Sequence, residues 1–201
     1  MRDFEYTPEW YADSVEWLSG VHSGDDLREH FERPPTHPEY AERWERWFEG
    51  AEIRGRVLEL GFNSGATIYR LCKMFPGVTV DGIDWNEKLR VLEPWLREIA
   101  PGLGELWFGD CNTVDRPDCY YDCVTSINFY EHLPVEAYYA SITMCYRLLV
   151  PGGYMFVYLG KPKQPAHINL RSDSRVCHDM LARGFEFVRK QRGLMVFRKP
   201  D

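Results

Sequence analysis

The residues best placed for chemistry in this chain stand where short apolar runs end. In VLELGFNSGA, Val57 to Ala66, a strand-like run enters a turn that holds Gly61, Asn63 and Gly65. An apolar strand closed by a glycine turn is one way to pass a chain around a nucleotide and into a helix. About twenty residues on, Asp84 closes a second apolar run, where a carboxylate can accept from both hydroxyls of a ribose. Asp110 and Cys111 follow a third run. A fourth ends in NFYEHLP, Asn128 to Pro134. An imidazole there, at His132, suits taking a proton from an amine or hydroxyl at neutral pH, or orienting a nucleophile. Each of these residues also has a plainer reading. Asp84 can be a helix N-cap, Asp110 a loop acid, and His132 a capping or packing residue.

The elements that must position these residues are alternating strands and helices. Val57 to Leu60 reads as a strand covered on both faces. A helix follows over Ser64 to Phe75, with Ile68, Leu71 and Phe75 inward. Val78 to Asp84 is the second strand. Asn86 caps one helix carrying Leu89, Leu92, Leu96 and Ile99. Glu105 to Gly109 and Asp122 to Ile127 are the third and fourth strands. Pro134 opens a helix with Tyr138, Ile142, Cys145 and Leu149, ended by Pro151-Gly152-Gly153. Tyr154 to Leu159 is the fifth strand, and Ser172 to Arg183 a helix with Val176, Met180 and Leu181 inward, stopped by Gly184. Then FEFVRKQRGLMVF reads strand, turn, strand, too short to hold a helix, so its strands pair antiparallel. Before Arg56 the pattern is helical. Thr7-Pro8 begins one helix, and Thr36-x-x-Glu39 is a capping box for another, with Tyr40, Trp44, Trp47 and Phe48 on one stripe.

The ordered motifs resemble those of the class I S-adenosylmethionine-dependent methyltransferases. VLELGFNSGA is similar to their first motif, VDGIDWN to the second strand with its ribose-binding acid, and FGDCNTV to the loop whose acid meets adenine. YYDCVTSINFYEHLP is similar to the fourth strand and its turn, and LLVPGGYMFV to the fifth strand and its approach. The resemblance implies a Rossmann-like, seven-stranded, mostly parallel α/β sheet with an antiparallel C-terminal hairpin and a helical N-terminal cap. It implies a single domain over 1–201, with the cap at 1–50 and the cofactor-binding core at 51–201.

For the site, the resemblance implies S-adenosyl-L-methionine held by Glu59, Gly61, Phe62, Asn63, Gly65, Asp84, Trp85, Asp110, Cys111 and Asn128, with S-adenosyl-L-homocysteine as product. Glu59 would hold the methionine ammonium, and a buried acid of this kind calls for a cation. Trp85 would pack on adenine or simply on the surface. The family's usual middle glycine is Asn63 here, and asparagine is the non-glycine residue that best tolerates positive φ. His132 would be the catalytic residue. The acceptor pocket would draw on Trp10, Tyr11, Tyr130, His167 and Arg171. Trp10, Tyr11 and Trp17 form either a lid or a stack inside the cap. No metal is expected.

The composition narrows the function. With 44% hydrophobic residues and 15% aromatics, the chain can bury a core. A formal charge of -7 argues against a phosphate polymer as partner, despite a short basic stretch at Arg189 to Gly193. The six cysteines contain no CxxC and suit reduced, buried thiols. No apolar run is long enough for a membrane span or a leader, so a cytoplasmic setting is expected. The expected activity is methyl transfer to a small molecule, at nitrogen or oxygen. Other readings are a different use of the same cofactor, such as aminopropyl transfer, or a noncatalytic binding role. A protein or RNA methyltransferase and a nicotinamide oxidoreductase are further alternatives. A dinucleotide fingerprint would want glycine at positions 61, 63 and 66, and only the first is present.

Overall fold

The computed structural model describes residues 38–160 and 167–201, with side chains from 42 onward. Trp10, Tyr11, Trp17, the residues expected to form cap helices before 38 and Thr36, expected as a cap, lie outside the described residues. Helix α1 (Pro38–Trp47) leads into strand β1 (Arg56–Leu60) and helix α2 (Ala66–Met74). Next come β2 (Thr79–Asp84), a 3-10 helix (Glu87–Leu92), α3 (Glu93–Ile99) and β3 (Leu103–Phe108). The chain continues through β4 (Tyr121–Ile127), α4 (Val135–Leu148), β5 (Leu149–Tyr158) and α5 (Asp173–Arg183). It ends in the hairpin β6 (Glu186–Gln191) and β7 (Leu194–Arg198).

The strands form one seven-stranded sheet in the order β3-β2-β1-β4-β5-β7-β6. β1, β2, β3, β4 and β5 are parallel, and β7 runs antiparallel to both β5 and β6. This is the sheet that the motif order implied. The pleat sorts neighbouring residues into two cores. Val57, Phe156 and Val196 face α1, α2 and the segment of Leu89, Leu92 and Leu96. Leu58, Met155, Val157 and Phe197 face Tyr138, Ile142 and Leu148 of α4 and Val176 and Met180 of α5. Strands covered on both faces explain the continuous apolar runs in the sequence. Trp44, Trp47 and Phe48 are buried in the first core, so these three aromatics of the stripe are packing.

Three expectations about elements are corrected. The single helix after Asn86 is a 3-10 helix followed by α3. Asn86 caps the first piece through Lys88 N, and Pro94 occupies the first turn of the second. Proline lacks the N–H that a continuous helix would need there. Pro151-Gly152-Gly153 does not simply end α4. The helix stops at Leu148, and the triplet lies within β5, where the register against β4 shifts between Tyr121 and Cys123. Leu181 is exposed, whereas Val176 and Met180 of the same helix are buried.

The chain turns from β1 to β2 on one side and from β4 to β5 on the other. The junction of β1 and β4 is thus a topological switch point, and the crevice beyond the strands' C-terminal ends is where such sheets bind ligands. The glycine turn after β1 and the NFYEHLP turn after β4 meet there. A Cβ on Gly61 would stand 2.4 Å from the Phe129 ring, and the φ of Gly61 is +68°. Gly65, φ +74°, is crowded in the same way by Leu96. Both positions thus require glycine for backbone angle and for packing.

Candidate active site

Asp84, the last residue of β2, is buried and fastens the turn after β1. Its Oδ2 accepts from Asn63 N at 2.9 Å and its Oδ1 from Asn86 N at 2.9 Å. Asn63 has φ 44°, the left-handed backbone anticipated where a glycine is usual. Burial pushes the Asp84 carboxyl up to about 6, against the lowering effect of those amides. A carboxylate has about four acceptor sites, so two backbone amides leave room for two hydroxyls. The helix N-cap itself is Asn86, so the capping alternative for Asp84 is not what its side chain does.

Beside Asp84 lies a cavity lined by Ile83, Asp84, Trp85, Gly109, Asp110, Cys111, Phe129, His132, Leu133 and Ala137. Its volume is about 130 Å³, and it opens to solvent. That is below the roughly 300 to 1,000 Å³ of a site that encloses a whole small ligand, so only part of one is enclosed here. Asp110 Oδ1 accepts from Asn112 N at 2.9 Å, which holds the short 3-10 turn at Cys111–Thr113. Of the residues expected at a site, Asp84, Trp85, Asp110, Cys111 and His132 share this cavity. Phe129, Leu133, Ile83 and Ala137 were not anticipated. The signal for the first two was their place around His132 in NFYEHLP.

Other expected residues lie elsewhere. Glu59, Gly61, Asn63, Gly65 and Asn128 sit in or beside the two turns without lining the cavity. Phe62 is a core residue, edge-on to Phe108 with ring centroids 5.7 Å apart. Tyr130 is corrected from acceptor contact to core. It is 1% exposed, and its hydroxyl lies 3.9 Å from Cys145 Sγ. The 3-10 turn Tyr130–His132 directs it beneath α4 while Phe129 and His132 take the cavity. Arg171 is corrected too. Its Nη1 donates to the buried Asp179 at 2.9 Å, and its guanidinium lies over Tyr138 at 4.2 Å, so it ties its loop to α4 and α5. His167 does meet His132, edge-on at 4.9 Å between ring centroids.

Glu59 is buried beside Thr125, whose hydroxyl donates to its Oε2. Within the chain, its partners are the hydroxyls of Thr125 and Thr67. Burial raises its carboxyl to about 8, with Thr125 and Thr67 pulling the other way. Unfolded, the group would titrate near its ordinary 4.5. Between these values the folded chain holds a proton that the unfolded chain has lost. Glu59 therefore lowers stability as pH rises from about 4.5 to about 8. Asp84 acts in the same sense over a lower window, ending near 6. Glu59→Gln is expected to flatten the decline and to exceed the wild type at pH 8 by on the order of 2 kcal/mol. Denaturant melts at three pH values across the window check this. An unchanged slope would mean that Glu59 is ionised and paired with a cation after all.

The sheet order and the cavity at the switch point, with acids at the ends of β2 and β3, are those of a Rossmann-like α/β fold. Residues 57–153 match a family model described as a methyltransferase domain. Over 97 residues the chain is 32% identical to the Bacillus subtilis (strain 168) protein named uncharacterized methyltransferase YdaC. That match takes in 48% of this chain, and the chain spans about half, 51%, of the relative. Among solved structures, one similar fold is the 1,6-didemethyltoxoflavin-N1-methyltransferase of Burkholderia thailandensis, with bound 1,6-didemethyltoxoflavin and S-adenosylhomocysteine. The TM-score is 0.63 at 19% identity, covering 100% of this chain and 94% of that one. Another is the [4+2]-cyclase SpnF, at TM-score 0.67 and 14% identity, covering 80% and 81%. Residues 57–153 are thus similar in sequence to a methyltransferase domain.

Proposed function

We propose that the chain binds S-adenosylmethionine beyond the ends of β1, β2 and β3 and transfers its methyl group to a small-molecule acceptor, at nitrogen or oxygen. The observation that carries this is the cavity in which Asp84, Trp85, Asp110 and His132 meet. Its groups fit an adenosine: a carboxylate to accept from the ribose diol, a second to accept from an exocyclic amine, and a flat ring among apolar side chains for the base. The bound ligand of the Burkholderia relative agrees with that fit.

The cofactor, when bound, supplies a methyl group already activated on a sulfonium. The chain's work is then to bind, orient and exclude water. Asp84 accepts from the ribose while keeping the Asn63 turn closed. Asp110 and the Cys111 amide receive the adenine edge, and Trp85 and Ile83 pack on its faces. The Gly61-to-Gly65 turn and Asn128 carry backbone toward the methionine end, where Glu59 receives the ammonium. Phe129 and Leu133 exclude water beside His132, and His132 acts on the acceptor. The net charge of -7 supports a small acceptor over RNA.

Release of S-adenosylhomocysteine from a panel of small amines, phenols and carboxylates tests this. The reading expects release above the acceptor-free background with one class of acceptor. Background release across the panel, together with methylation of protein or RNA, would overturn the small-molecule assignment. The likeness to the [4+2]-cyclase supports a second reading, a non-methylating use of the fold. For that reading the cofactor binds, yet S-adenosylhomocysteine is never released.

A further inference from the structure

Three side chains that no step above fully uses converge beside the cavity. Glu131 and His132 belong to the turn after β4, and His167 to the loop after β5. One ligand atom from each lies within 4.8 Å of the others. Pairing of β4 with β5, Ile127 opposite Tyr158, brings the two loops together. Further bonds fix the site. Glu131 Oε1 accepts from Gly160 N at 2.6 Å, and Glu131 O accepts from Asn169 N at 3.0 Å. Gly160 is the floor of the cluster. A Cβ there would stand 2.3 Å from Glu131 Oε1, 3.0 Å from His167 Cε1 and 3.3 Å from Asn128 Oδ1. Asn128 thus brings an amide oxygen to the same place.

The second observation concerns what the cluster lacks. Glu131 is 2% exposed, and its buried Oε2 has no hydrogen-bond partner among the described residues. Such a carboxylate oxygen is costly to keep, since a buried acceptor left unmade forfeits its hydration. A cation satisfies it. Two imidazoles and a carboxylate are a common protein set for a first-row divalent ion. Ligands roughly 2.0 to 2.2 Å from one ion stand about 3.4 Å apart in a tetrahedron. From separations of up to 4.8 Å, the three need close by at most about 1.4 Å to enclose it.

We infer that Glu131, His132 and His167 form a binding site for a first-row divalent cation at the acceptor end of the cavity, with Asn128 as a further oxygen donor. This rests on the methyltransferase reading for its purpose. There the ion would hold an oxygen-bearing acceptor and lower its pKa. A hydroxyl's proton then passes to solvent water as the oxygen takes the methyl, and the sulfonium becomes the neutral thioether. The His132 ring would coordinate the ion in place of taking that proton. Protein ligands from two turns leave positions open for that oxygen, as catalytic metal sites do. The acceptor class is therefore a hydroxyl or carboxylate compound more than a simple amine.

The test uses the whole chain with no cofactor added. Mn²⁺ alone is titrated and followed by loss of its free electron-spin resonance signal, and Co²⁺ alone by visible absorption. One equivalent is expected, with Co²⁺ tighter than Mn²⁺ and Mg²⁺ weak, because imidazole favours the later metals. His167→Ala and Glu131→Gln should each weaken binding by about tenfold or more, comparable to or beyond the loss of an outer-sphere partner. Gly160→Ala, which keeps every ligand residue but adds a methyl that must displace the Glu131 carboxylate, should weaken it as well. No stoichiometric binding by the wild type, or full retention in His167→Ala, would overturn the site. S-adenosylhomocysteine binding is measured on the same preparations. If that ligand binds and Mn²⁺ does not, only the cation site fails; if it does not bind, the methyltransferase reading fails, whatever Mn²⁺ does.

Discussion

His132→Ala is expected to lower turnover on a true acceptor by about a hundredfold or more, while S-adenosylhomocysteine affinity stays within about twofold. The split follows from position. Asp84, Trp85 and Asp110 supply the nucleotide contacts, and His132 stands at another part of the same cavity wall beside Phe129 and Leu133. Its backbone N–H, bonded to Phe129 O at 3.0 Å, is retained on substitution, so the turn survives. His132→Gln discriminates further. A glutamine can orient an acceptor through a hydrogen bond but lacks the ring-nitrogen lone pair, so a glutamine variant close to wild type would make His132 a positioning residue. Near wild-type turnover in the alanine variant would return it to packing. Steady-state kinetics at saturating cofactor, with calorimetry of the product, provide both numbers.

Asp84→Ala is expected to reduce cofactor affinity at least tenfold. Hydrogen bonds to a charged group are worth roughly 1.5 to 3 kcal/mol each before water compensates. Two effects add here. The ribose loses its acceptor, and the amides of Asn63 and Asn86 lose the carboxylate that closes their turns. The sheet should persist, because β2 remains paired with β1 and β3. Asp84→Asn keeps one acceptor oxygen and is expected to fall between the two. Affinity unchanged in Asp84→Ala would mean that the cavity at the end of β2 is not the nucleotide site.

Much of the frame was legible because period and punctuation carry it. Continuous apolar strands, the glycine turn and the short C-terminal hairpin together require a mostly parallel sheet with one antiparallel strand. Asn63 could be read because few residues besides glycine tolerate its backbone angle. Pro151-Gly152-Gly153 reads as a helix stop because a β-bulge and a helix stop use the same residue types. The leucine period runs through Pro94 undisturbed, so the break there does not show in the pattern. Within NFYEHLP the sequence cannot say which aromatic turns inward. A single 3-10 turn decides that Tyr130 enters the core while Phe129 lines the cavity. Arg171 resembles a pocket residue until Asp179, on the helix that follows, claims it. The Glu131–His132–His167 cluster is least visible of all. Its members come from two loops, and only the β4–β5 register makes them neighbours.

The central claim is that the cavity between Asp84 and His132 receives an adenosyl cofactor. Calorimetric titration of the purified chain with S-adenosylmethionine, S-adenosylhomocysteine, NAD and NADP tests it most directly. The account predicts one equivalent of either adenosyl ligand, weakened by Asp84→Ala, and no measurable binding of the nicotinamides. Tight binding of NAD or NADP, with no response to the adenosyl ligands, would contradict it.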